Sequence, residues 1–467
     1  MKKEIITEFL HDNKIVILGF GKEGISSYRF IRKHFPDMPL VVADRNRALD
    51  ISKYSDDEHL SFILGEDYDN NLNDFDLILK TPGVNLNHLS YFIPPSKISS
   101  QTDLFIKGYG DQIIGVTGTK GKSTTSSLIY YILKNVTDNA ILSGNIGIPF
   151  FDVIDSINEN TIVVAELSAH QLEYTNHSPK VAVFLNLFQE HLDHFNSFSN
   201  YQLAKLNITQ FQGNKDYLIY NADDEHIQAL LKSHRYERNV LPYSRKNILS
   251  NGAYSYESKI VIAEQKEVIS EFELKEFSNL PGRHNYYNIM AAILACKTKN
   301  IDDESITKYL KTFKGLPHRL EYIGTHNDIL FYNDSISTIP EAAIAALKTL
   351  RKVDTLILGG FDRGIEYDSL IDYIHEYPLS NVAFTGPAGK RIFDEWKEKY
   401  PLPSHFILEN DFHEIVLFAY KYTQKGKICL LSPAAASYDQ FKNFTERGDF
   451  YKSLVINNIL KVNDSNL

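Results

Sequence analysis

The run Lys14–Leu18 (KIVIL) is apolar from Ile15 onward and rich in β-branched residues, and it ends at Gly19-Phe20-Gly21-Lys22-Glu23-Gly24. A strand that empties into a glycine turn predicts a strand–turn–helix unit, with the helix over Ile25 to Lys33. A second short apolar run, Leu40–Ala43, ends at Asp44, and a third, Phe75–Leu79, ends at Thr81-Pro82-Gly83. The pattern then restarts. A strand over Gln112–Val116 runs into a Gly- and Thr-rich turn and a helix over Thr125 to Lys134; strands are predicted at Thr161–Ala165 and Lys180–Leu187, and a helix around Ser199–Phe211. From 215 to 278 polar and β-branched residues alternate, which reads mostly as strand, before a helix at Asn285–Lys297. A third series follows, with strands at Ile329–Asn333, Thr355–Leu358, Val382–Thr385 and Ile428–Leu431 and helices at Pro340–Leu350 and Phe412–Tyr422. Short apolar strands separated by helical segments imply parallel sheets covered on both faces. The predicted fold class is α/β, in three consecutive domains at 1–108, 109–315 and 316–467.

The length of 467 residues agrees with that division, at roughly 100–200 residues per domain. A hydrophobic share of 43% argues against a disordered chain, and a formal charge of −10 argues against general binding to nucleic acid or membrane surfaces. Two cysteines, Cys296 and Cys429, give no disulfide framework and suit a reducing cytoplasm; both read as buried small hydrophobes. Charges break the N-terminal stretch before an apolar segment forms, so no signal peptide is expected, and no apolar run approaches the ~18–20 residues of a membrane span.

The strongest chemical signal is Thr117-Gly118-Thr119-Lys120-Gly121-Lys122-Ser123-Thr124. A phosphate-binding loop needs glycines so that backbone N–H groups can curl around oxygens. It also needs a lysine for the terminal phosphates, a hydroxyl for magnesium and a helix N-terminus behind it. Gly118, Gly121, Lys122 and Ser123 supply these parts, although the generic spacing G-x-x-x-x-G-K-[ST] is not met because Val116 stands where its first glycine would be. Glu166 ends an apolar strand and His191 follows the next one, an order that suits a nucleotide-bound metal. Lys205 lies on a helical segment and by itself reads as an ordinary surface lysine. The first glycine turn, with Asp44 about 20 residues beyond it, is compatible with NAD, with another nucleotide diphosphate, or with no ligand.

In this order the motifs resemble the Mur ligase family. TGTKGKST has the family's own form of the phosphate loop, and Gly144-Asn145-Ile146-Gly147, AELSAHQLE (165–173), LNLFQEHLDHF (185–195), the YQLAK run ending at Lys205, LPGRHNYYNIMAA (280–292) and GLPHRLE (315–321) follow in family order. The C-terminal blocks are NDSISTIPEA (333–342), LGGFDRG (358–364) and LSPAAASYDQFKNFTERGDF (431–450). The first and last of the three domains are most similar to the D-glutamate-adding branch. The resemblance implies a Rossmann-like N-terminal domain for a UDP-sugar, a central P-loop ATPase domain and a Rossmann-like amino-acid-binding C-terminal domain. The implied activity is ATP-dependent addition of D-glutamate to UDP-N-acetylmuramoyl-L-alanine through an acyl phosphate, in cytoplasmic peptidoglycan precursor synthesis by a monomer whose domains close around the substrates. The competing readings are a sister ligase that adds another amino acid or peptide, and a non-catalytic or dehydrogenase-like nucleotide-binding protein.

By that resemblance ATP is held by the loop residues Gly118, Thr119, Lys120, Gly121, Lys122, Ser123 and Thr124 and by Asn285, Asn288, Arg319 and Asp334. Magnesium falls to Ser123, Glu166, His191 and a carbamylated Lys205, and the catalytic set is Lys122, Glu166, His191 and Lys205. Asn145 is expected near the reacting carboxylate, and Thr338, Arg363, Ser437 and Phe444 in the amino-acid pocket. Asp44, Arg45 and Asn46 fall in the uridine region, with Lys22 and Glu23 as loop contacts. One departure stands out: Ile336 occupies the lysine position of the N-D-S-K-A-T-N pattern.

Overall fold

The computed structural model describes the whole chain except residues 1, 90–91, 234–238, 275–279, 281 and 465–467. Parts of the 215–278 reading and Pro281 of the LPGRH motif therefore lie outside the described residues. The architecture is mixed α/β with three sheets, and the chain separates into two compact units, Met1–Phe277 with Arg283–Lys311 and Ser278–Gly282 with Thr312–Leu467.

In the first unit, β1 (Ile15–Leu18), β2 (Leu40–Asp44), β3 (Leu60–Leu64), β4 (Leu77–Lys80) and β5 (Ile98–Ser99) form a sheet in the order β3-β2-β1-β4-β5. All its pairings are parallel, with Ile15 opposite both Leu40 and Leu77. Alternation along β1 sends Ile15 and Ile17 into one core and Val16 and Leu18 into another, which is why IVIL is apolar at every position. The Ile15/Ile17 face continues through Leu104, Phe105, Phe150 and Phe151 to Val163 and Phe184 of the next sheet, so the first two sheets share one core.

The second sheet contains β6 (Ile113–Thr117), β7 (Ala140–Gly144), β8 (Ile162–Glu166), β9 (Val181–Phe184), β10 (Tyr217–Asn221), β11 (Asn239–Ser244), β12 (Gly252–Tyr256), β13 (Lys259–Glu264) and β14 (Glu267–Glu273). Its order is β14-β13-β12-β11-β10-β9-β6-β8-β7. The connection from β6 passes β8 to reach β7, whereas β9 lies on the other side of β6. The chain thus switches direction at β6, and a crevice opens beyond the carboxyl ends of β6, β8 and β9, where open parallel sheets bind ligands. The 215–278 region is not all strand, because Glu225–Ser233 is a helix that buries Ile227.

In the second unit, β15 (Glu321–His326), β16 (Ile329–Asn333), β17 (Val353–Gly359), β18 (Asn381–Thr385), β19 (His405–Leu408) and β20 (Ile428–Leu431) run in the order β15-β16-β20-β17-β18-β19. Only the β15–β16 pair is antiparallel. The helices Asp368–Glu376, Gly386–Lys399 and Phe444–Asp464 were not expected from the sequence. Gly386-Pro387-Ala388-Gly389 reads as a turn, yet proline suits the first turn of a helix, where its missing N–H is not needed. Cys296 and Cys429 are both buried thiols. No helix among the described residues is long and apolar enough to cross a membrane.

Candidate active site

The phosphate loop leaves β6 and enters a helix at Lys122, not at Thr125, so Lys122, Ser123 and Thr124 form the first turn of Lys122–Thr137. Gly121 caps that helix at φ +87°, and a Cβ there would fall 2.6 Å from Asn288 Oδ1. A side chain is excluded by backbone conformation and by space, and the close approach brings Asn288 onto the loop. Asn288 Nδ2 donates to Asn285 Oδ1 at 2.8 Å. Asn186 holds the loop from β9's end, accepting from Lys120 N and donating to Lys120 O, both at 2.8 Å. Thr119 Oγ1 lies 3.1 Å from the Tyr201 hydroxyl and accepts from Phe188 N at 2.9 Å, while Lys120 pairs with Glu190.

Two lysines converge on one carbonyl. Lys122 Nζ and Lys205 Nζ each donate to Gly118 O at 2.9 Å, and Lys122 also donates to Thr119 O at 3.0 Å. Lys205 is only 1% exposed, so it is far from the surface lysine its sequence context suggests. Burial, reinforced by the charge of Lys122, pulls its ammonium well below its ordinary value. Glu166, 1% exposed, accepts from Asn145 Nδ2 at 2.7 Å through Oε1, while its Oε2 is buried with no hydrogen-bond partner. An orphaned buried carboxylate oxygen is costly unless a cation completes it. A hard divalent ion bound by oxygen atoms fits that unpaired oxygen, and the Ser123 hydroxyl on the loop is a donor of the same kind. His191 sits in the left-handed region at φ +56°, and its ring stands 6.2 Å from Tyr201. Among the described residues no three His, Cys, Asp or Glu side chains cluster to hold a metal by themselves.

Two cavities flank this centre. One, about 560 Å³, is lined by Lys120, Gly121, Phe188, Lys246, Tyr287 and Asn288 among others. Asp223 shapes it by accepting from Ser244 Oγ, Arg245 N, Lys246 N and the Tyr287 hydroxyl. The other, about 630 Å³, lies at the carboxyl ends of β1, β2 and β4, against Gly19, Lys22, Asp44, Thr81, Asn85 and His88. Asp44 uses one carboxylate oxygen for Phe20 N at 2.6 Å and the other for Asn46 N at 2.7 Å, so it shapes the loops, where a dinucleotide would want it on a ribose.

In the second unit Asp334 is buried, accepting from Leu320 N at 3.0 Å, Ser337 Oγ at 2.6 Å and Ser432 Oγ at 2.8 Å. Burial pushes its carboxyl up to about 6, against the pull of those donors and of Arg319, which is itself exposed. Arg363 Nη2 donates to Thr338 O at 2.6 Å, and Arg391 grips Asp362 with two 2.8 Å bonds, fixing the turn that carries Arg363. Arg447, 1% exposed, donates to Ser335 Oγ, Ser335 O, Ala435 O and Ala436 O, tying the NDS turn to the segment leading to Ser437. Phe444 O accepts from Ser335 Oγ at 2.8 Å. Ile336 contributes its backbone N–H to His318 O at 3.1 Å.

The raised carboxyl of Asp334 has a measurable consequence. A carboxyl held above its unfolded value adds stability below about pH 4 that is lost as pH rises through about 6, a cost of about 3 kcal/mol at neutral pH. Asp334→Asn should therefore gain melting temperature relative to wild type at pH 7.5 and gain less at pH 4.5. Equal differences at both values would mean that burial is not what controls this carboxyl.

Residues 116–296 match the Mur ligase middle domain. A UDP-N-acetylmuramoylalanine--D-glutamate ligase from Clostridium kluyveri is 34% identical over 462 residues, covering 96% of this chain and 97% of that protein. The chain belongs to the Mur ligase family. A ligase of the same name from Acetivibrio thermocellus is 32% identical over 96% of this chain and 97% of its own length. The fold is also that of a UDP-N-acetylmuramate-alanine ligase from Thermotoga maritima, with TM-score 0.56 and 18% identity over 96% of this chain and 100% of the other.

For this Mur ligase, the structure groups Gly118, Lys122 and Lys205 directly, pairs Asn145 with Glu166 and Gly121 with Asn288, and reaches Thr119 and His191 through Tyr201. Arg319, Asp334, Thr338, Arg363, Ser437 and Phe444 belong to the other unit. Sequence reasoning missed Asn186, Tyr201, Asp223 and Arg447. Asp223, just after a strand in Asn221-Ala222-Asp223-Asp224, had a legible signal; Arg447 had none, because its partners are distant in sequence.

Proposed function

We propose that this chain joins D-glutamate to UDP-N-acetylmuramoyl-L-alanine at the expense of ATP, in peptidoglycan precursor synthesis. The relatives' names supply the substrates. The chemistry rests on one observation: Lys122 and Lys205 meet at the Gly118 carbonyl, within a unit where Glu166 keeps one buried oxygen unpaired.

The alanyl carboxylate attacks the γ-phosphorus and ADP leaves, giving an acyl phosphate. The amine of D-glutamate then adds to the acyl carbon, loses a proton and expels phosphate. Two anions must approach in the first step, so the work is positioning and charge neutralisation. Lys122 and the N–H groups of the Lys122–Thr137 helix take the phosphates, and Asn145, oriented by Glu166, presents its amide to the carboxylate. Magnesium, held by Ser123, Glu166, His191 and Lys205, would neutralise phosphate charge when bound. Lys205 suits that role as a carbamate, since a neutral buried amine adds to CO2 with loss of a proton and becomes an oxygen ligand. Asn285, Asn288, Arg319 and Asp334 are assigned to the adenine nucleotide, and Thr338, Arg363, Ser437 and Phe444 to D-glutamate, with Arg363 for a carboxylate. The cavity at β1, β2 and β4 is assigned to the UDP-sugar. We also place the enzyme in the cytoplasm as a monomer, with domain edges near 108 and 316.

Ile336 favours one second reading, a sister ligase with a different amino acid, because a cation is missing from that turn. Phosphate release across a panel of amino acids, with ATP and the UDP-sugar present, separates the two. D-glutamate is expected to be required; release with another amino acid while D-glutamate stays inert would overturn the first reading.

A further inference from the structure

Three segments beside the reaction centre of the first unit are tethered to residues that line or border the cavity at the carboxyl ends of β1, β2 and β4. Lys22 Nζ donates to Gly147 O at 2.8 Å, on the turn that carries Asn145. Gln171 Nε2 donates to Glu23 Oε1 at 2.7 Å, just beyond Glu166 and its capping residue Ser168. The third tether is the most enclosed. Lys80, the last residue of β4, has a side chain only 2% exposed, and its Nζ lies 3.2 Å from Glu173 Oε2. The same oxygen accepts from His194 Nε2 at 3.0 Å. Asn85, which lines the cavity, donates to His194 O at 3.1 Å, and Asn87 donates to the same carbonyl.

His194 and His191 lie on one short turn. His191 caps the Leu192–Phe195 helix, and His194 N donates back to His191 O at 3.1 Å. His170 is wedged between their rings, edge-on to both at 4.4 Å from His194 and 4.9 Å from His191. Fixing His194 from both ends therefore fixes the direction of His191. Burial works against Glu173, but the His194 hydrogen bond and the Lys80 ammonium outweigh it and hold its carboxyl below the usual value, so the pair stays ionic. A buried pair of this kind adds little net stability compared with apolar residues of the same size, yet it defines one geometry.

We propose that Lys80, Glu173 and His194 are positioning residues that set His191 by reference to the Thr81–His88 loop, so that filling the cavity at β1, β2 and β4 and binding the metal–nucleotide are energetically linked. The inference rests on the assignment of that cavity to the UDP-sugar and of His191 to the metal. Linkage between two ligands is a reciprocal quantity, measurable as a ratio of dissociation constants.

The experiment titrates magnesium with a non-hydrolysable ATP analogue by calorimetry, with and without saturating UDP-N-acetylmuramoyl-L-alanine. The wild-type protein should bind the analogue about tenfold more tightly when the sugar nucleotide is present. Removing one charge would strand the other in the interior, so the main variant is Lys80→Met with Glu173→Gln, which removes both. It should bind each ligand alone within about threefold of wild type while the ratio falls to about twofold or less. Lys80→Arg, which keeps the ion pair, should retain most of the ratio. A double variant with the full ratio overturns the relay, as does a wild-type protein with none. A double variant that loses affinity for each ligand separately also overturns it, marking the residues as ordinary packing. A wild-type protein that fails to bind the sugar nucleotide at all overturns the cavity assignment instead.

Discussion

Lys122→Ala is expected to lower ATP-dependent phosphate release by about 10³-fold or more, with the melting temperature within about 2 °C of wild type. A thousandfold loss corresponds to about 4 kcal/mol of transition-state stabilisation, within the range of a charged donor aimed at developing negative charge in a sheltered site. Lys122 is the first residue of its helix, and its ammonium donates to the loop carbonyls Gly118 O and Thr119 O. Alanine is the best helix former, and Gly118 O keeps Lys205 as a donor, so the fold has little to lose. Stopped assays for phosphate, paired with thermal melts by circular dichroism, decide the matter. Undiminished turnover would remove the phosphate-loop assignment.

Lys205→Ala should reduce turnover by about 10²-fold or more, and a small carboxylate such as acetate should restore part of it. The argument starts from crowding. Two ammonium groups that share the Gly118 carbonyl repel each other, and burial already disfavours the charge on Lys205. Conversion to a carbamate reverses the sign of that charge beside the Glu166 region and supplies oxygen donors that a hard cation prefers. Acetate could occupy the space vacated by the side chain and offer the same donor atoms. In the wild-type protein, removal of dissolved CO2 should lower activity and bicarbonate should return it. Full activity of Lys205→Ala without a supplement would contradict the carbamate role. Lys205→Met, which preserves volume, serves as the control for packing.

How much of the site was legible depended on how locally its chemistry is encoded. TGTKGKST could be read because phosphate binding needs glycine, lysine and a hydroxyl at consecutive positions ahead of a helix. Glu166 stood out because it ends a strand, the place that open parallel sheets offer to ligands. The role of Lys205 entered only through family resemblance, since its helix gives no sign that this one position is buried against Gly118. Gly386–Lys399 was missed because its opening glycine and proline read as a turn, and Glu225–Ser233 because it interrupts a β-rich stretch. Arg447 was invisible for another reason: it meets Ser335, 112 positions away, and its value lies in four carbonyl and hydroxyl partners that only folding gathers.

By itself the sequence determined the α/β alternation, the three sheets, the phosphate loop and the family, since period, turn chemistry and contiguous motifs are properties of short segments. Tertiary structure alone decided that the first two sheets share a core, that Lys122 and Lys205 meet at one carbonyl, that Glu166 keeps an unpaired oxygen, and that Lys80, Glu173 and His194 join one cavity's loop to the His191 turn. These features depend on burial and on contacts between residues far apart in the chain. Such contacts form only when closing the chain brings the carboxyl ends of different strands together, and no local pattern records which side chains will then be left without water.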